Sequence, residues 1–280
     1  MRLFSRVERK LWGLFRNDGA WIDRRGDFRL KERYGRIQRP NYAYGMLRAA
    51  DTARYFGKKS ATVIEFGVAN GDGLLNMIEL ASTVEHETGI YFRVVGFDTG
   101  AGLPGIDGYK DHPEIWNPGD FTIENRERLE SKIAGKAHII WGDIATTVNS
   151  FLSTIEPSAP IAFASFDVDL YSASVSAMRC FDGASNKYLP AVSMYFDDVS
   201  SFFSNSWAGE LAAIGEFNDA HELRKIDIDR SLSGRPLREP WHSQMYVLHV
   251  LDHQDRQRSN ERAKLGINEH LGFMWSQGVY

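Results

Sequence analysis

Cysteine is nearly missing: Cys180 stands alone in a chain of 280 residues. One thiol excludes an intrachain disulfide and any multi-thiolate zinc or iron–sulfur centre. It follows Met178 on an apolar helical stretch, where a thiol is usually buried and inert. Long apolar runs are missing too. None approaches the roughly 20 residues needed to span a bilayer, and no basic, apolar, small-residue leader is visible, so a cytoplasmic protein is expected. Internal repeats, low-complexity tracts and a Pro/Gly/Ser linker that would divide the chain are likewise not found. What remains is ordinary for a folded domain, with 43% hydrophobic and 25% charged residues, which excludes extensive disorder, collagen and coiled coil.

Excess positive charge is confined to one end. Residues 1–40 carry 12 basic and 5 acidic side chains, net +7, and the other 240 carry 21 and 32, net −11. An acidic body disfavours a nucleic-acid groove, which needs a basic face to neutralise phosphates. Within the basic end, Leu3, Phe4, Val7, Leu11, Leu14 and Phe15 recur at helical spacing, with Arg2, Arg6, Arg9, Lys10 and Arg16 between them. A helix over residues 1–16 either lies on an anionic membrane or a partner or, more commonly, packs on its own domain with its arginines solvated. The chain thus reads as a basic helical extension (1–40), a main domain (41–252) and a polar tail (253–280).

Six short apolar runs have strand character: 61–66, 92–97, 137–141, 161–166, 191–196 and 244–251. Helix-like stretches at 73–86, 123–133, 145–155, 172–181 and 208–221 separate them. Near-continuous apolar strands alternating with helices imply a mostly parallel sheet covered on both faces. The expected fold is therefore α/β and doubly wound, with ligands at the carboxyl ends of the strands.

The residues at those ends are mostly glycine and aspartate. Glu65-Phe66-Gly67-Val68-Ala69-Asn70-Gly71-Asp72-Gly73 leaves the first strand and enters a helix, and such glycines let backbone N–H groups approach a ligand. The spacing departs from the dinucleotide fingerprint G-x-G-x-x-G, and an acid two residues before the first glycine suits a cationic ligand better than a pyrophosphate. The second strand ends in Asp98, placed either to accept from a ribose diol or to form an Asx turn with Thr99-Gly100. The third ends in Trp141-Gly142-Asp143, near where an adenine would lie. Asp167 and Asp169 close the fourth strand, and Asp197 and Asp198 the fifth. Neighbouring strands lie roughly 4.8 Å apart, so these carboxylates would repel and raise one another's pKa unless a cation neutralises them. Oxygen donors without thiolate favour magnesium, calcium or manganese over zinc. Alternatively Asp169 and Asp198 cap the helices that follow.

This pattern resembles the class I S-adenosylmethionine-dependent methyltransferases, with a Rossmann-like fold, and more closely the macrocin O-methyltransferase (TylF-type) sugar methyltransferases. The shared features run in family order: Glu65-x-Gly67, Gly96-Phe97-Asp98-Thr99-Gly100-Ala101-Gly102-Leu103-Pro104, Gly119-Asp120-Phe121, Gly142-Asp143, Asp167-Val168-Asp169-Leu170-Tyr171 and Asp197-Asp198. The resemblance implies that Glu65, Gly67, Val68 and Gly71 hold the methionine portion of S-adenosyl-L-methionine, Asp98 the ribose and Asp143 the adenine edge. It implies magnesium on Asp167, Asp197 and Asp198, with Asp167 also the general base. It further implies a small-molecule hydroxyl acceptor, a sugar or glycoside, and a homodimer. Thr99-Gly100-Ala101 and Val199 depart from the family pattern, where a Ser or Thr with an acid, and a Tyr, are usual. Two rivals are a catechol-type O-methyltransferase and a cofactor-binding partner protein without activity; clustered acids argue against an idle pocket.

Other residues carry weaker signals. His242 stands as an alternative base or a packing residue, while His138 and His249 read as structural. Tyr42 and Tyr44, expected just ahead of the first core helix, either cover the cofactor or pack in the core, and Trp116 either stacks on a sugar or anchors a loop. For residues 1–16 the expectation is packing: a chain lacking residues 1–20 will co-sediment with anionic liposomes no less than the full chain. Loss of sedimentation on that truncation would establish a membrane helix instead.

Overall fold

The computed structural model describes residues 19–257. Residues 1–16, with their expected amphipathic helix, and the tail beyond residue 257 lie outside the described residues. Among the described residues no helix is long and apolar enough to cross a membrane.

Seven strands form one sheet: β1 (Ser60–Phe66), β2 (Tyr91–Asp98), β3 (His138–Trp141), β4 (Ile161–Phe166), β5 (Tyr188–Phe196), β6 (Arg224–Ile228) and β7 (Met245–Val250). Their order is β3-β2-β1-β4-β5-β7-β6. The first five run parallel, and β7 lies antiparallel between β5 and β6. The α/β doubly wound architecture expected from the alternating pattern is the one observed. Strand order reverses between β1 and β4, and the crevice outside their carboxyl ends is where such sheets bind ligands.

Helices cover both faces. The preceding elements α1 (Gly19–Arg25) and α2 (Phe28–Arg33) lead to α3 (Pro40–Tyr55), which together with α4 (Asp72–Thr88) and α5 (Arg126–Ile133) closes one face. The other is closed by α6 (Ile144–Ser153), α7 (Tyr171–Met178) and α8 (Gly209–Ala220). Pro40 opens α3, where its missing N–H is not needed. Tyr42 and Tyr44 therefore lie inside the first core helix rather than ahead of it, and both are buried. One strand escaped the sequence pattern. β6 (RKIDI) is an edge strand with only Ile226 buried, and such edges carry charge because one side stays in water.

The carboxyl rim is aligned by phenylalanines. Phe97, Phe66, Phe166 and Phe196 are register partners across β2, β1, β4 and β5, and all four are fully buried. Adjacent rings lie 5.0, 5.0 and 4.5 Å apart, a spacing that favours aromatic packing. One residue further on, Gly67, Asp167 and Asp197 donate their N–H groups to the carbonyls of Phe97, Phe66 and Phe166. Apolar side chains thus stop at one level across the sheet, and the polar residues begin together at the next.

Phe166 packs between Phe66 and Phe196. Phe166→Ala is expected to cost about 3–5 kcal/mol and Phe166→Leu about 1 kcal/mol, read as the shift in urea-unfolding free energy.

Candidate active site

The ends of β1, β2 and β4 open into a cavity of about 670 Å³, within the range of small-molecule sites. Its lining includes Glu65, Gly67, Val68, Asp98, Asp143 and Asp167. Sequence reasoning had singled out all six. Gly71 is not part of the lining; in a left-handed conformation it starts α4.

Glu65 is fixed by a buried relay. The Tyr42 hydroxyl donates to Glu65 Oε1 at 2.6 Å, and Ser165 Oγ donates to that hydroxyl at 2.8 Å. Oε2 is buried and has no partner. Burial above all, with Asp167 and Asp98 nearby, pushes the Glu65 carboxyl up to about 8, against the pull of Tyr42 and Arg39. Two glycines make room here. A Cβ on Gly73 would lie 1.9 Å from Glu65 Oε1, and one on Gly67, whose φ is +85°, would lie 1.7 Å from the Asp167 carbonyl oxygen.

Asp98 does more than face the cavity. Its Oδ2 accepts from the Val68 and Ala69 amides, both at 2.8 Å, and its Oδ1 accepts from Gly100 at 2.6 Å. The Asx turn weighed from the sequence is formed, and the same carboxylate staples the glycine turn to β2. A carboxylate has about four acceptor sites, and these amides take three of them. Asp143 caps α6 through the Ala145 amide at 2.8 Å, and its side chain is exposed.

The remaining acids crowd the ends of β4 and β5. Burial, then the charges of Asp197 and Asp198, push Asp167 up to about 7. Asp169, in a left-handed conformation at φ +61°, is pushed up to about 8 by burial and the same neighbours. Asp198 rises to about 6, chiefly through burial. Neither Asp169 nor Asp198 caps a helix with its side chain. Asp197 accepts from the Tyr195 hydroxyl, and Asp198 Oδ2 is buried without a partner. The donor chemistry, hard oxygens with uncompensated charge, fits a divalent cation. The placement is looser: among the described residues no three His, Cys, Asp or Glu side chains are arranged to hold a metal ion.

A narrow second pocket adjoins at Asp169, lined also by His112, Trp116, Asp198 and Glu210. Glu210 is buried; its Oε2 accepts from the Asp198 amide at 2.9 Å and its Oε1 is unpartnered. Burial holds its carboxyl well above the usual range. Sequence reasoning missed it, although a carboxylate sharing a helical face with Ala213, Ile214 and Phe217 was a visible signal. Trp116 packs edge-on against Phe121, and Phe121 lines the main cavity. His242 lines neither pocket and stands against Trp241. Tyr44 bonds Asp229 at 2.7 Å, and Cys180 is buried. The exposed rings of Phe202, Phe203 and Trp207, also missed, follow the Asp197–Asp198 pair on a loop whose Ser201, Ser204 and Asn205 line the second pocket.

No protein-family model matches the chain, and no curated protein matches it. Solved structures do. It is similar to the calicheamicin methyltransferase CalS11, with 20% identity over 90% of this chain and 95% of that one, at a TM-score of 0.50. It is similar also to the O-methyltransferase NovP, with 14% identity over 75% and 79% of the two chains and a TM-score of 0.50. The chain has the fold of these enzymes.

Because the folded pKa of Glu65 lies above its unfolded value of about 4.5, its contribution to stability is full below pH 4.5 and is lost as pH rises to about 8. Glu65→Gln keeps the acceptor for Tyr42 and removes the charge. Its unfolding free energy relative to wild type is expected to improve by a few kcal/mol between pH 5 and pH 8, measured by urea denaturation at both.

Proposed function

We propose that the chain is an S-adenosyl-L-methionine-dependent O-methyltransferase acting on a hydroxyl of a sugar or glycosylated small molecule. The observation that carries this reading is the unpartnered, buried Glu65 Oε2 at the switch point of a wound sheet. A buried acceptor of this kind calls for a donor, and the α-ammonium of a methionine moiety supplies one. Asp98 and Asp143 line the same cavity, where they would meet the ribose and the adenine edge. The methyltransferases CalS11 and NovP, which share the fold, support the same assignment.

When bound, the cofactor supplies a methyl group on a sulfonium, open to in-line displacement by an acceptor oxygen. This chain's part is to align that oxygen and to receive its proton. Asp167 lines the cavity, and a carboxyl raised to about 7 is matched to proton acceptance near neutral pH. Asp167, Asp197 and Asp198 would hold magnesium, which would lower the acceptor's pKa and would also pull the raised Asp167 carboxyl down, so the raised value belongs to the site without the ion. Trp116 in the second pocket and Phe121 in the main cavity offer flat apolar surface beside the acids, suited to a ring-bearing acceptor.

In a thermal-shift screen, adenosylmethionine and adenosylhomocysteine are expected to raise the melting temperature by mass action, and NAD to leave it unchanged. Asp167→Ala is expected to abolish transfer of labelled methyl to glycosides while calorimetric binding of adenosylhomocysteine stays nearly intact. Retained turnover of Asp167→Ala under chelator would remove both the base and the metal, and transfer to catechols alone would move the acceptor class.

A further inference from the structure

Asp169 lines both the main cavity and the narrow second pocket. That pocket has a volume of about 10 Å³, room for one group the size of a water. Two of the carboxyl groups lining it have acceptors to spare. Glu210 is 1% exposed. Its Oε2 accepts from the Asp198 amide, which fixes the side chain, and its Oε1 is buried without a partner. Asp169 is buried as well, and among the described residues its carboxyl forms no ion pair. Polar neighbours in the lining are turned to other partners: Ser204 Oγ to the Asp198 carbonyl, Ser201 Oγ to Ser204 and Asn205 Nδ2 to the Phe203 carbonyl. His112, the one basic side chain among the described lining residues, bonds Glu114 Oε1 through Nδ1 at 2.8 Å.

Such a buried acceptor calls for a donor from outside, and the pocket's size and charge narrow its kind. A divalent cation needs about six oxygens around it, waters included, for which this volume leaves no room. A single hydroxyl offers one proton and leaves two acidic groups uncompensated. A primary ammonium fits the space, brings three donors and supplies the missing charge. We propose that Asp169 and Glu210 receive a primary ammonium carried by the methyl acceptor, which is then an amino sugar or a glycoside of one, an assignment that rests on the methyltransferase reading above. Asp169 stands two residues beyond Asp167, which anchors the amine near the reacting hydroxyl, and neither receiving residue belongs to the magnesium set. Trp116 lines the same pocket and gives the sugar ring a flat face to rest on. The wider field acts in the same direction. Seven carboxylates line the main cavity against Arg39, the sole Lys, Arg or His among its described lining residues, so the site draws in an ammonium and opposes a phosphate.

The test measures binding to the full-length protein, near neutral pH and with adenosylhomocysteine at saturation. Methyl glycosides carrying one amine at each ring position in turn are titrated by calorimetry beside their hydroxyl counterparts. At one position or more the amine is expected to bind roughly ten- to a hundredfold tighter, the span of a charge-assisted pair. Glu210→Gln keeps an acceptor for the Asp198 amide and removes the charge. It is expected to bring the preference close to one while the hydroxyl glycosides and adenosylhomocysteine bind as before, which certifies its fold. Asp169→Asn, with a side chain that tolerates positive φ, should lose the preference too. The proposal is overturned if wild type binds none of the glycosides or shows no amine preference, or if Glu210→Gln weakens every glycoside equally. It is overturned also if Glu210→Gln leaves the preference intact and lowers the affinity for magnesium alone, which would make Glu210 part of the metal centre. Should wild type fail to bind adenosylhomocysteine, the methyl-donor reading itself fails, a result distinct from all of these.

Discussion

Everything at the site depends on where four phenylalanine rings stop. Phe97, Phe66, Phe166 and Phe196 occupy matching levels of adjacent parallel strands, and their packing against α6, α7 and α8 has no tolerance for a shift. Because side chains alternate between the two faces of a strand, a slip of one residue would move a ring off the core face and bring an aspartate toward it. The hydrophobic cost of that slip keeps Gly67, Asp98, Asp167 and Asp197 at one edge. The chemistry of the rim is a by-product of core packing one residue below it.

Convergence has an electrostatic consequence. Carboxylates brought to the edge of an apolar sheet lose water, and each raises its neighbours' affinity for protons. The chain counters this with neutral donors rather than with lysines. Tyr42 serves Glu65, Tyr195 serves Asp197, and backbone amides serve Asp98, Asp143 and Glu210. Hydroxyls and amides stabilise negative charge without cancelling it. The cavity therefore keeps a negative potential that a sulfonium, an ammonium or a divalent cation would relieve. Clustered acids with shifted pKa values are a common mark of functional sites, and here the mark is set by the fold itself.

Much of this arrangement could be read before any coordinates. The apolar runs of β1 to β5 are close to continuous, so they announce buried parallel strands, and the residues after them announce the rim; the run of β7 announces a buried strand but not its antiparallel direction. β6 was illegible because an edge strand needs only Ile226 for the core and fills its other positions with charge. α3 is missing from the expected helices altogether, and Tyr42 and Tyr44 were placed ahead of the first core helix, although Pro40 is a common first residue of a helix. Arg39 and Glu210 were missed for opposite reasons. Arg39 hid in a basic segment where one more arginine carried no signal, and Glu210 belongs to a helix whose neighbouring strand end already seemed complete. Contacts between residues distant in sequence, such as Tyr42 with Glu65 and Ser165, leave no local pattern at all.

Asp98 illustrates how closely support and recognition are joined here. Three backbone amides converge on its two oxygens, so the turn that shapes the cavity is built on the same carboxylate that faces it. Replacing it with an apolar residue would strand those amides at a cost of about 1–3 kcal/mol each and would loosen Val68 and Ala69, whatever ligand the cavity takes. Loss of binding in such a variant would therefore say little about ribose. Glu65 Oε2 is free of that double duty, since it has no protein hydrogen-bond partner. Recognition can be separated from folding at this oxygen, because its hydrogen-bond energy is realised only when something else enters.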